Sequence, residues 1–175
     1  MRLRTEIAVI LVIVVIAAAG LFLYLNYGSG VLEVKLTDPP LDWGRVTQIY
    51  LNLSGIEIHG AQQGNESGWT TVTDNGTLIN LTRTLDINQT IGLKNLQAGT
   101  YNLIRFEILN AVVTVGGINH TASVPSGEIT VAITKGGLKI NTGQTSAILI
   151  ELNVKVEESG AFEFRLVPAI RAVAG

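Results

Sequence analysis

Hydrophobic and polar residues alternate in two distinct ways along this chain. From Ile7 to Leu25 the sequence IAVILVIVVIAAAGLFLYL holds nineteen residues with no charge, amide or proline. At ~1.5 Å per residue it forms a helix of about 28 Å, close to the ~30 Å hydrocarbon thickness of a bilayer. With no polar face, such a helix is unsuited to the half-buried surface of a soluble domain. Beyond it the apolar positions follow a period of two, the mark of half-buried strands. In Val31–Thr37, Leu32, Val34 and Leu36 share one face, and Pro39-Pro40 ends the run. From Val46, residues Ile49, Leu51 and Leu53 point inward, and after Ser54-Gly55 the phase shifts to Ile56 and Ile58. One long, bent strand with a one-residue bulge fits that shift.

Residues 60–97 are rich in Gly, Asn and Thr and predict a short strand near Trp69 followed by mixed loop. Strands resume in TYNLIRFEIL, with Ile104, Phe106 and Ile108 on one face, and in Ala111–Val115. Gly116-Gly117 then turns the chain into Ile118–Ala122 as a two-residue hairpin. Further strands are predicted at 129–133, 146–156 and 162–173. Strands separated by turn signals, with no amphipathic helix among them, predict an all-β fold. It is a single antiparallel β-sandwich of about seven to nine strands behind one N-terminal transmembrane helix. The expected organisation is residues 1–6 cytoplasmic, 7–25 anchor, 26–30 short linker and 31–175 extracellular sandwich.

Arg2 and Arg4 precede the apolar run and no basic residue follows it until Lys35, so the positive-inside bias puts the N-terminus in the cytoplasm. Ala17, Ala18 and Ala19 also permit a second reading, a cleaved signal peptide. The apolar run continues past them to Leu25, and Tyr24 and Tyr27 fall where an interfacial aromatic belt would lie, which favours a retained anchor. The formal charge is −2, and 15% of residues are charged with no basic cluster past the N-terminus, so nucleic acid is not an expected partner. The absence of cysteine excludes disulfides and thiolate metal sites.

Six segments occur in an informative order: GVLEVKLTDPP (Gly30–Pro40), GIEIH (Gly55–His59), Gly68-Trp69, AGTYNLIR (Ala98–Arg105), VPSG (Val124–Gly127) and LVPAIR (Leu166–Arg171). Together they resemble a widespread prokaryotic family of exported β-sandwich proteins of unknown function, distantly transthyretin-like. The resemblance implies a lipoprotein or membrane-tethered surface protein and assigns no catalytic residue. Bacterial members often carry a lipobox cysteine, and here the apolar helix would replace the lipid.

Six N-glycosylation sequons begin at Asn52, Asn65, Asn75, Asn80, Asn88 and Asn119. With twelve asparagines and about one residue in seven being Ser or Thr, chance gives about two, so the excess is a signal of surface exposure. Such sequon use without cysteine is compatible with an archaeal surface protein. Asp38 and Asp42, joined by Asp74 or Glu57, would offer oxygen ligands to Ca²⁺, but the spacing fits turn capping beside Pro39-Pro40 better. His59 and His120 are the only histidines and nothing in the sequence brings them together, so surface or strand-end placement is expected of both. Trp43 and Trp69 would suit either sugar stacking or sandwich-edge packing, and packing is the preferred reading. No nucleophile motif appears, so no catalytic residue, metal or cofactor is expected.

The expected function is a non-catalytic, membrane-anchored and N-glycosylated cell-surface subunit. It would contact lipid through residues 7–25 and bind another membrane or surface protein, or copies of itself through strand edges. Two alternatives stand beside it. One is a filament subunit in which Val31–Thr37, freed by cleavage, completes a neighbouring sheet; the other is an extracellular carbohydrate-binding module.

Overall fold

The computed structural model describes residues 2–37, 42–64, 67–81, 89–124 and 127–175. Asp38, Pro39, Pro40, Asn65, Asn88 and the Pro125-Ser126 part of VPSG lie outside them. The apolar run folds as helix α1 (Arg2–Tyr27), exposed over Glu6–Tyr24 and, over that span, long and apolar enough to cross a membrane. Among the described residues twelve strands follow in chain order: β1 (Ser29–Thr37), β2 (Val46–Leu53), β3 (Ile56–Gly60), β4 (Trp69–Thr73), β5 (Thr77–Asn80) and β6 (Gln89–Gln97) form the first half. The second half comprises β7 (Gly99–Val115), β8 (Ile118–Ser123), β9 (Glu128–Thr134), β10 (Leu138–Ile140), β11 (Thr145–Gly160) and β12 (Glu163–Ala174).

The all-β expectation is met, but the count of seven to nine strands is too low. The additional strands are short or sit at edges. β10 has three residues, and β5 turns only Ile79 fully inward. β6 buries Ile91 and Leu96 while Leu93 faces out, so it shows no period of two, and the alternation of β10 is only three residues long. The fold is also not wholly antiparallel, since β1 runs parallel to β11, and β12 runs parallel to β8 and β9.

The organising strand is β7, seventeen residues long and bent. Its first half pairs with β3, β9 and β10, and its second half with β2 and β8. The core fills the space enclosed by this bend, with Phe106, Leu32, Ile49, Leu51 and Ile104 at most 2% exposed. The predicted phase shift after Ser54-Gly55 is real. β2 and β3 run in line along β7, with Leu53 opposite Ile108 and Glu57 opposite Arg105, so four steps on one side meet three on the other. Ser54 repairs the ladder at that bulge: its backbone N–H donates to Glu107 O (2.8 Å), and its hydroxyl accepts the Glu107 N–H (3.0 Å). The Gly116-Gly117 turn has φ of 57° and 81°, the left-handed pair that a type I′ hairpin requires.

β1 lies inside the sheet, between β11 and β6, with Leu32, Val34 and Leu36 fully buried. Both of its edges are therefore occupied within the same chain. Where β1 ends, the Trp43 indole N–H donates to Val154 O at 2.8 Å and covers a backbone acceptor on the β1 side of β11. That carbonyl direction makes Val154 and Pro168, its partner on β12, a non-hydrogen-bonded pair. Pro168 therefore removes no ladder bond between β11 and β12, which explains a proline inside a paired strand.

The five-residue linker expected over 26–30 shrinks to Gly28. The Tyr24 carbonyl accepts the Gly28 N–H (3.0 Å) and the Thr142 hydroxyl (3.1 Å). Gly28 O accepts from Ala98 N (2.7 Å), and Ser29 O accepts from Gly143 N (2.9 Å). A Cβ at Gly28 would overlap Thr142 and the Tyr24 carbonyl, so only glycine allows the helix end to approach the 141–144 turn this closely. The helix is thus bonded to the sheet on two sides rather than tethered to it.

Candidate functional site

Strand directions define two poles. β1 and β11 leave the helix joint together, Val31 opposite Thr145, and β12 returns to the same end with Ala174 opposite Ile148. The β11–β12 turn, residues 161–162, therefore lies at the far end of a sixteen-residue strand, about 50 Å from the joint at ~3.3 Å per residue. The β7–β8 turn and the start of β2 reach the same pole, since Val115 pairs with both Ile118 and Val46.

This distal pole carries a cluster of rings and one guanidinium. Phe162 is 51% exposed and has φ of 68°, a left-handed conformation that a bulky side chain rarely adopts. It stacks on His120, with centroids 4.7 Å apart and planes 11° from parallel, and Phe164 flanks the same imidazole at 5.6 Å. The Arg45 guanidinium lies 5.0 Å from the Phe162 centroid and 5.9 Å from that of Phe164. Glu158 orients it through both carboxylate oxygens, with Nε to Oε2 at 3.1 Å. Beside them Ile118 is 63% exposed. The arrangement holds no nucleophile–base pair; it offers aromatic faces, an aliphatic side chain and an oriented cation, the groups that anchor protein interfaces.

A second cluster lies near the middle of β7, beside the Ser54 bulge. Arg105 stacks on Trp69 at 4.1 Å, donates through Nε to Glu57 (2.6 Å) and lies 3.7 Å from Glu128. Asp74 and Glu107 complete a cleft of about 250 Å³. Among the described residues, no three acidic or histidine side chains converge to hold a metal. Asp42 is elsewhere: it lines a cleft at the distal pole, and its Oδ1 caps the Gly44 N–H at 2.8 Å, the turn role expected for it. Asp42 therefore does not meet Glu57 and Asp74, and Asp38 is outside the described residues.

The two histidines stay apart. They pair with Leu103 and Val113 of β7, ten positions and about 33 Å of strand apart, on opposite sides of its bend. His59 is buried rather than superficial. Its Nε2 lies 3.1 Å from Gly64 O and its Nδ1 lies 3.2 Å from Asn102 Oδ1, so both ring nitrogens are engaged. Its position fastens the loop between β3 and β4. Neither tryptophan offers an open face pair to a sugar: Arg105 covers Trp69, and Trp43 packs against the core.

The described sequons differ in setting. Asn75 and Asn119 are exposed beside turns, and Asn119 accepts the Thr114 hydroxyl (2.8 Å) through its oxygen rather than its nitrogen. Asn80 lies on β5, and Asn52 is half-buried on β2 with β5 and β7 on either side. Sequence reasoning missed Arg45, Glu158 and Phe162. Phe162 reads as the start of a strand, and the signal available was an aromatic side chain in a turn between two long apolar runs.

No curated protein matches the chain. Among solved structures it is similar to one described as a "putative cell adhesion protein" from Bacteroides eggerthii DSM 20697, at 11% identity and a TM-score of 0.37. That likeness covers 83% of this chain and 57% of the other, so the chain spans little more than half of that protein's length. A family model described as a domain of unknown function, DUF4382, matches residues 29–162, from the first residue of β1 to the distal turn and short of Leu166–Arg171. By that match over most of its length, the chain belongs to the DUF4382 family.

Proposed function

We propose that this chain is a non-catalytic, membrane-anchored cell-surface subunit that binds another protein through its distal pole. The observation that carries the reading is Phe162, exposed at the tip and fixed in a left-handed conformation between His120 and Arg45. Left-handed backbone costs an L-residue about 1–2 kcal/mol, and such strain gathers at functional positions. In this reading α1 spans the bilayer with Arg2 and Arg4 on the cytoplasmic side, and the short joint holds the sheet upright outside. A glycan at Asn75 would coat an exposed turn away from the distal pole, as on an extracellular surface.

The test is Phe162→Gly in the full chain, extracted in mild detergent and sized by native electrophoresis. Glycine relieves the backbone strain, so stability should stay within about 1 kcal/mol of the parent. Loss of a central aromatic anchor should weaken partner binding by about 2 kcal/mol, roughly thirtyfold, and return the chain to its single-chain size. A complex of unchanged size and affinity would refute the distal assignment.

A further inference from the structure

The pole next to the helix contains a cleft of about 740 Å³, walled by the β6–β7 turn at Ala98-Gly99 and by Asn141, Thr142 and Gln144 before β11. Both walls are bonded to the helix joint. Ala98 N donates to Gly28 O, the Thr142 hydroxyl donates to Tyr24 O, and Val31 N donates to Gln144 O at 2.8 Å. The remaining lining includes Gln62 and Lys139. Its chemistry is specific in kind: three side-chain amides and a hydroxyl, each able to donate and accept, beside a single ammonium. Lys139 is exposed and, among the described residues, forms no ion pair.

The cleft's height follows from the helix. The apolar span ends at Tyr24, and Gly28 lies four residues on, about 6 Å along the axis at ~1.5 Å per residue. The polar layer of each leaflet is about 5–7 Å deep, so the cleft walls, hydrogen-bonded to Tyr24 and Gly28, stand among lipid headgroups. This step rests on the membrane-anchored reading.

We propose that this cleft binds the phosphorylated polyol headgroup of a membrane lipid, with Lys139 on the phosphate and Gln62, Asn141 and Gln144 on the hydroxyls. A phosphate ester matches the single cation, and a polyol matches amides that give and take hydrogen bonds. A choline headgroup, which has no hydroxyl and no donor, leaves those amides without partners. A bound headgroup would brace the joint from outside and fix the tilt of the sheet above the bilayer.

The experiment uses the full chain in detergent, exchanged into nanodiscs of phosphatidylcholine containing phosphatidylinositol or phosphatidylglycerol, with retained lipid counted by native mass spectrometry. The parent should keep one phosphatidylinositol or phosphatidylglycerol per chain in at least about tenfold preference over phosphatidylcholine. Lys139→Gln and the double change Asn141→Ala with Gln144→Ala should each abolish that preference with the far-ultraviolet spectrum unchanged. Equal retention of all three lipids, or a preference untouched by both variants, would overturn the proposal. Soluble inositol phosphate forms a separate arm: if it binds while no lipid is retained, the occupant is not a lipid headgroup. Carbonate washing of host membranes reads the anchor independently. Release by carbonate overturns the anchor, and the inositol phosphate arm still reports on the cleft.

Discussion

Replacing Gly30 with valine should destabilise the sheet domain by about 3 kcal/mol, at or above the upper end of ordinary overpacking. Gly30 is buried at the start of β1, and an added Cβ would overlap the Asn141 carbonyl and come 2.8 Å from the Gln144 carbonyl. Both neighbours are backbone atoms of the turn that receives the helix joint, so no rotamer change relieves the contact. The turn must move or β1 must withdraw from it, and the Val31–Gln144 hydrogen bond is lost in either case. A fall in melting temperature of about 10 °C is expected in detergent, at ~3 °C per kcal/mol for a domain of this size. Gly20→Ala, within the helix where an added Cβ meets nothing within 4 Å, should leave the same melting curve in place.

Truncating Phe106 to alanine should cost more, roughly 3–5 kcal/mol, through lost transfer free energy and the cavity left behind. Phe106 is 2% exposed and sits one residue before the point where β7 exchanges one set of partners for the other. Few atoms near that bend can collapse into the space, because the Ser54 bulge fixes the backbone there at Glu107. Chemical denaturation monitored by tryptophan fluorescence should show the midpoint falling with an unchanged slope, as for lost stability without loss of cooperativity. Phe106→Leu, which keeps most of the volume, should recover more than half of the effect.

What the sequence made legible follows from where the physics is local. An uninterrupted apolar run specifies α1 by itself, and strict alternation specifies β1 and most of β11, because each buries one face against the core. The one-residue phase change at Ser54-Gly55 survives in the structure as a bulge, since register is set by which residues must face inward. Strands such as β6 and β10 were hidden because their existence depends on partners far away. β6 is held by β1 and by the Thr90 hydroxyl on Glu33 (2.7 Å), which with Lys35 keeps that carboxyl below its usual range. The distal cluster was illegible for the same reason: Arg45, His120 and the Glu158–Phe162 hairpin come from three separate places in the chain and meet only when long strands end at one pole. The parallel pairing of β1 with β11 could not be read from periodicity at all, because alternation fixes a face and not a direction.

Intact-mass analysis of the chain extracted from host membranes after carbonate washing decides whether α1 stays in the bilayer with the sheet bonded to it, as proposed. A carbonate-resistant chain whose N-terminal peptide includes residues 7–25 is expected. A mature chain that begins beyond Ala19 and appears in the soluble fraction would contradict that proposal.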